Sequence, residues 1–291
     1  MSSCLSPISI RDPTKDPVLK KKHLEKGIFY LQVPCGKCPA CLENLCRDWF
    51  IRCYFEDKYS PELQSYFVTL SLSDDNLSYS SSLTPTLDKK LIQSFLNSVR
   101  YHLKFKYFLV GEYGPTSLRP HYHFILFNSK LDLLGTQRTI ERCWNKGIVT
   151  VSPLNESRIY YTMKYFYFSD IHPLCDDCER PFRLMSRGLG SSYFEDPKKF
   201  FYHKHSLNTF INHGNNIFRL PRYFIGKLFS DEERDEISER SSSYLSKKNY
   251  FWRYKNFQNS YGKLDYILPS DTEKEDSYRR FRKSLKKRFN I

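Results

Sequence analysis

His121 and His123 stand two positions apart in RPHYHF (119–124), and Glu112 lies nine positions before the first of them. The surrounding stretch, YFLVGEYGPTSLRPHYHFILF (107–127), places strand-like runs on both sides of a segment rich in glycine, proline and serine. That pattern predicts one strand, a turn-rich connection, and a second strand over roughly 121–127. A period of two sends His121 and His123 to one face of the second strand, with Tyr122 and Phe124 on the other. Two neutral imidazoles beside the carboxylate that ends the adjacent strand offer two nitrogens and one oxygen to a divalent ion. An isolated His-x-His is equally a pair of surface histidines on an edge strand, so the rest of the chain must decide.

Residues 156–168, ESRIYYTMKYFYF, carry the second chemically suggestive group. Helical spacing puts Tyr161, Lys164 and Tyr165 on one face. A phenol ionises only near pH ~10 in water, so it attacks an electrophile only with the help of a base, a cation or a metal field. Lys164 is placed to stabilise phenolate or phosphate charge. Taken without the histidines, the same residues describe a ring-rich core helix with Lys164 snorkelling from its edge.

Cysteine provides a third group. Cys35, Cys38 and Cys41 form a C-x2-C-x2-C series in VPCGKCPAC, with Cys4 upstream and Cys46 just beyond. Such a pair can hold one corner of a metal site, and Gly36 gives the knuckle its freedom. The two readings are a structural Zn2+ on Cys4, Cys35, Cys38 and Cys41, or packed free thiols; an iron–sulfur cluster lacks a fourth ligand at a familiar distance. Cys175 and Cys178, with His172 nearby, are either a half-site or a redox-inert local feature. The start of the chain shows no basic-then-apolar leader, so its nine cysteines read as thiols or metal ligands ahead of disulfides.

Composition points to the partner. Against 32 Asp and Glu the chain has 46 Lys and Arg, a net charge of +14, which calls for an anionic partner: a nucleic acid, or else non-specific adhesion to an anionic membrane. Its 22 Tyr and 23 Phe, interspersed with cations, suit stacking on exposed bases of a single strand better than a closed duplex. Many of those rings also have a core to fill. Basic residues cluster at Lys20, Lys21 and Lys22 and again in 279–290, where seven basic residues and no acidic one occur. MSRGLG (185–190) joins Arg187 to two glycines in a loop able to contact phosphate. No run approaches 18 apolar residues, which excludes a membrane-spanning helix.

The elements that must position these groups follow from periodicity. A strand is expected over 28–33, a helix over about 40–58 and a strand over Tyr66–Leu72, with Thr69 and Ser71 on one face and Phe67 assigned to the other. Thr69 and Ser71 either line a substrate site or bond within the sheet. Residues 72–85 read as a serine-rich loop without periodicity. Leu91, Phe95, Val99 and Leu103 then mark an amphipathic helix, a crossover in an α/β layer arrangement. A helix over 131–144, a short strand over 147–152, a turn before Pro221 and a charged connection over 231–250 complete the outline.

In this order and spacing the motifs resemble the HUH endonuclease superfamily of rolling-circle replication initiators, most strongly those of the gokushovirus group of small single-stranded DNA bacteriophages. The matching blocks are PCGKCPAC (34–41), FVTLS (67–71), GEYG (111–114), RPHYHF (119–124), ESRIYYTMKY (156–165), MSRGLG (185–190) and LPRYF (220–224), so the similarity covers roughly residues 1–230. The resemblance implies an α+β fold, a central antiparallel sheet flanked by helices with an HUH nuclease or RNA-recognition-like core over 61–230. A cysteine-rich segment (1–60) would precede that core and a charged, basic C-terminal region (231–291) would follow it.

The same resemblance implies metal ligation by His121 and His123, with Glu112 in the place of an acidic residue found in some such nucleases. It makes Tyr161 the tyrosine of a Y-x-x-K motif with Lys164, and Tyr165 a second nucleophile one helical turn on. The chain departs from the pattern at Phe168, where a second such motif would place a lysine. The implied reaction is a transesterification assisted by Mg2+ or Mn2+ that leaves a 5′-phosphotyrosine link and a 3′-hydroxyl primer. Implied partners are single-stranded viral DNA with its origin, a host polymerase and a host helicase, since no Walker-type ATP site is present. No membrane partner is implied, and the setting is the host bacterial cytoplasm. Lys20, Lys21, Lys22, Arg119, Arg187, Arg279, Arg280, Arg282 and Lys283 are the expected DNA contacts. Two other classes compete: a non-catalytic single-strand-binding or packaging protein of the same fold, and a zinc module that would leave the histidines and tyrosines unconnected.

Overall fold

The computed structural model describes residues 4–11, 30–59, 62–114, 116–166, 175–213 and 216–241. Two compact units separate among them, one reaching Arg47 and the other beginning at Asp48. In the first, β1 (Ile8–Arg11) pairs antiparallel with β2 (Tyr30–Val33), Ile8 opposite Val33. Helix α1 (Pro39–Lys58) follows. Its opening proline suits a first helical position, because the fixed φ is already helical and no amide is lost there.

The second unit is organised by one sheet. In chain order come β3 (Gln64–Ser71), the short pair β4 (Ser78–Tyr79) and β5 (Pro85–Thr86), α2 (Lys89–His102), β6 (Lys106–Tyr113) and β7 (Pro120–Ser129). They are followed by α3 (Leu133–Cys143), β8 (Val149–Pro153), α4 (Glu156–Met163) and β9 (Phe182–Met185). The sheet order is β8-β3-β7-β6-β9, and every neighbouring pair is antiparallel. It follows that β3 and β6 run parallel with β7 between them, and β7 and β8 run parallel with β3 between them. The run β3-α2-β6-β7-α3-β8 is therefore two interleaved split β-α-β units. Helix α2 is the crossover its stripe predicts, but within an antiparallel sheet, not a layered α/β one.

Alternation divides the sheet into two unlike faces. On one, Leu109, Tyr122, Phe124 and Leu126 meet Ile92, Phe95, Leu96 and Val99 of α2 and Ile140 of α3. Burying each such side chain stabilises by about 1.5–3 kcal/mol. Gly111 is part of that packing: a Cβ there would lie 3.0 Å from the Phe182 ring and 3.2 Å from Tyr122. The opposite face carries Phe67, Thr69, Val110, Glu112, His121 and His123, as the registers of β3, β6 and β7 require. Trp49 of α1 covers it at 5.1 Å from Phe108. Beside that contact the fully buried Glu56 accepts from Lys106 Nζ, Asn128 Nδ2 and the Gly190 amide at 2.7–3.0 Å.

Several expectations need correction. Phe67 shares the face of Thr69, because a period of two groups 67, 69 and 71. The serine-rich 72–85 segment contains the β4–β5 pair, held from a distance: Tyr113 Oη accepts from the Leu87 amide and bonds Thr86 Oγ1. Periodicity does not reveal β9, nor the hairpin β10 (Phe210–His213) and β11 (Asn216–Arg219). Helix α4 ends at Met163, and Lys164–Phe166 form a tighter 3₁₀ turn that sets Phe166 against Phe108. Cys175 and Cys178 are joined as a disulfide. Helices α5 (Pro197–Ser206) and α6 (Arg222–Leu228) and a helical stretch over 231–241 complete the described residues. Among these, no helix is long and apolar enough to cross a membrane.

Candidate metal and tyrosine site

Two neighbouring strands place the three donors. Glu112 of β6 stands directly opposite His121 of β7, and Val110 opposite His123, so one carboxylate meets both imidazoles on the same face. Glu112 Oε1 lies 2.5 Å from His121 Nε2 and 3.1 Å from His123 Nε2. Glu112 and His123 are buried, and His121 is half-buried.

Hydrogen bonds behind the rings fix how they present themselves. His121 Nδ1 is 3.1 Å from the Arg119 carbonyl, and His123 Nδ1 is 2.9 Å from Thr69 Oγ1. A carbonyl only accepts, so His121 Nδ1 must carry the hydrogen, and in the neutral ring the Nε2 lone pair then faces Glu112. Two lone pairs 2.5 Å apart repel unless a cation, a proton or a metal ion, is shared between them. Burial works against ionisation of Glu112, but the hydrogen bonds and charge of His121 and His123 outweigh it and hold the carboxyl below its usual range. The donor set fits a divalent ion, with the outer partners that orient metal-binding histidines already in place.

The tyrosines border the same ring. His123 lies 5.4 Å from Tyr161, edge to face, and 6.0 Å from Tyr165, stacked. The two phenol rings are 5.6 Å apart, so the tighter turn at 164–166 keeps them together. Phe67 closes the group, stacked 5.4 Å from His123 and edge-on to Tyr161 at 6.0 Å. Burial raises the pKa of Tyr161, opposed in part by its hydrogen bond with Tyr165, and burial with the nearby Glu112 charge raises Tyr165 much further. Of the two phenols, Tyr161 is the easier to ionise.

The other expected residues fall into distinct places. Lys164 opens the 3₁₀ turn, and its side chain lies outside what the structure describes. Arg119 donates to Asp74 Oδ1 and to the Leu72 carbonyl, both at 2.6 Å, which ties the start of β7 to the end of β3. Arg187 is exposed beside Gly188 and Gly190, both at positive φ; the Gly190 amide is turned inward to Glu56. Lys20, Lys21, Lys22, His172, Phe168, Arg279, Arg280, Arg282 and Lys283 lie outside the described residues. Periodicity alone misses Arg183, which faces Val110 across the β6–β9 register and sits over the Phe166 ring at 4.2 Å. The alternation in FRLM is its only signal.

Two cysteine groups lie apart from this centre in sequence. Cys4, Cys35, Cys38 and Cys41 bring their sulfurs within 4.8 Å of one another. Burial would raise the Cys35 thiol, but the Lys37 and Cys38 amides and neighbouring thiols bring it down to about 6. Burial and the Cys38 and Cys4 sulfurs push Cys41 up to about 12. In the Cys175–Cys178 loop, Asp177 accepts from the amide and the hydroxyl of Ser82 at 3.0 Å each.

With donors, orienting partners and phenols on one sheet face, the segment that contains them can be compared with known proteins. A family model described as replication-associated protein ORF2 matches residues 65–169, which include Phe67, Thr69, Glu112, both histidines and both tyrosines. Replication-associated protein ORF2 of Spiroplasma virus 4 is 28% identical over 98% of both chains. The chain is homologous to phage replication-associated proteins. Replication-associated protein VP4 of Bdellovibrio phage phiMH2K is 31% identical over 56% of each chain. Replication-associated protein ORF4 of Chlamydia phage 1 is 25% identical over 73% of this chain and 56% of its own. Together these matches point to the HUH Rep superfamily.

Proposed function

We propose that the chain is a rolling-circle replication initiator that nicks single-stranded origin DNA and rejoins it. One observation carries the reading: Glu112, His121 and His123 share a sheet face with Tyr161 and Tyr165, inside the segment that the replication-protein family matches. The split β-α-β connectivity supports an HUH or RNA-recognition-like core, and the order of motif blocks supports the gokushovirus type. Two imidazoles and one carboxylate favour Mn2+ over Mg2+, because magnesium prefers oxygen ligands throughout. A divalent ion held by these three residues would polarise the scissile phosphate and offset charge that builds on it.

The chain's own groups do the rest. Tyr161 Oη attacks the phosphorus, an oxygen–phosphorus bond to the 5′ side forms, and the bond to the 3′ oxygen breaks. The phenol gives up its proton, and the departing strand end takes one up as a 3′-hydroxyl able to prime a host polymerase. Tyr165 accepts the strand in a second transfer, and the ester bond conserved in the phosphotyrosine makes sealing independent of ATP. Lys164 stabilises the charge on whichever oxygen is leaving or attacking. Thr69 and the Arg119 carbonyl keep both imidazoles aimed at Glu112. The setting is the cytoplasm of a bacterial host, whose helicase opens the duplex. Incubating the full chain with labelled origin single strands tests the reading: cleavage that requires Mn2+ or Mg2+ is expected, and cleavage unchanged by chelation and by H121A/H123A would contradict it. Binding of single strands without any cleavage would favour the packaging class instead.

A further inference from the structure

We propose that Cys4, Cys35, Cys38 and Cys41 form a closed structural zinc site that fastens the N-terminal hairpin to the start of α1. The ligands come from three separate places. Antiparallel pairing of Ile8 with Val33 brings the residues before β1 and after β2 side by side, which joins Cys4 to Cys35. Gly36, at φ +74, turns the chain so that Cys38 comes back toward Cys35, a conformation that side chains with a Cβ resist. Helix α1 starts at Pro39, so Cys41 lies one helical turn past Cys38 on the same side.

The sulfur geometry fits one tetrahedral ion. Cys4 Sγ and Cys38 Sγ are 3.8 Å apart, and zinc–sulfur bonds of about 2.3 Å in a tetrahedron put sulfurs about 3.8 Å apart. A disulfide needs about 2.05 Å. Three backbone amides donate to these sulfurs: Cys35 to Cys4 Sγ and Cys38 to Cys35 Sγ, both 3.2 Å, and Leu5 to Cys38 Sγ at 3.4 Å. Thiols are weak acceptors, and amide donors of this kind favour the thiolates that bind metal. Four soft ligands select zinc, and with no coordination position left open the ion would be structural. A two-stranded hairpin is marginal by itself in water, and metal binding supplies such a segment with folding free energy.

The test reads metal, so it is independent of DNA cleavage and its failure would leave the nuclease reading standing. The full chain, produced with zinc and purified without chelator, should contain about one zinc by elemental mass spectrometry. C35S/C38S should lose it, and C143S, outside the cluster, should keep it. Because the double variant may misfold, wild type exchanged into cobalt is read as well. It should show thiolate-to-cobalt charge transfer and tetrahedral d–d bands, and chelation of the zinc form should expose the four thiols to titration. Folded wild-type chain without zinc, zinc retained by C35S/C38S, or disulfides among the four cysteines would each overturn the proposal.

Discussion

The sheet-borne centre and the cysteine cluster both gather metal-type donors, but the chain builds them in opposite ways. Glu112, His121 and His123 are set by strand register within a unit that has an extensive apolar core. Their orienting partner Thr69 lies 54 positions from His123. The cysteines are set by a hairpin end, a knuckle and one helical turn. The difference is one of dependence. A centre carried by a packed sheet keeps its shape without an ion and can therefore hold a reactive position open, whereas a cluster on a core-poor hairpin needs its ion to hold any shape.

Perturbations of the sheet centre sharpen that contrast, starting with the largest effect. H121A/H123A should lower the nicking rate by on the order of 10³-fold while costing only about 1–2 kcal/mol per site in chemical denaturation. A global loss of structure would show that the sheet, too, depends on its donors. Glu56→Ala breaks the buried contact with Lys106, Asn128 and Gly190 and should cost about 3–5 kcal/mol, with metal affinity unchanged under folded conditions. Thr69→Val removes the hydroxyl behind His123 and should weaken Mn2+ binding about 10–100-fold, with activity returning at high metal. A normal metal titration would remove Thr69 from the orienting role. Deleting the charges of Arg279, Arg280, Arg282 and Lys283 should have the mildest consequence. The slope of log affinity against log salt should become shallower by up to about 3 for single strands, with the nick position unmoved.

Local chemistry is the legible part of both regions. The shared face of His121 and His123 follows from the strand period alone, and the four cysteines from their spacing with Cys4. Glu112 as their partner requires a register that the turn-rich 113–120 segment only suggests. Topology is less accessible, because β9 is a four-residue strand and its pairing with β6 bridges about 70 positions of chain. The period that places the histidines correctly also puts Phe67 beside Thr69, and the opposite expectation for Phe67 neglects it. Helical spacing predicts Tyr165 on an α-helix, but the chain tightens there into a 3₁₀ turn, a change imposed by the packing of Phe166 on Phe108. Propensity carries no signal for such a contact. Tyr113, which pins β5 through its hydroxyl, is hidden for the same reason.

The central claim is that a tyrosine beside the His123 ring makes the bond to DNA, and Tyr161 is the first to do so because it is the less heavily desolvated of the two phenols. The direct measurement is to react the full chain with labelled origin single strands and Mn2+, digest the covalent complex, and locate the DNA-bearing residue by peptide mass spectrometry. The account predicts label on Tyr161, kept in Y165F and absent in Y161F. Label confined to Tyr165 with normal cleavage by Y161F would contradict the order of attack, and cleavage with no protein–DNA adduct at either tyrosine would contradict the claim itself.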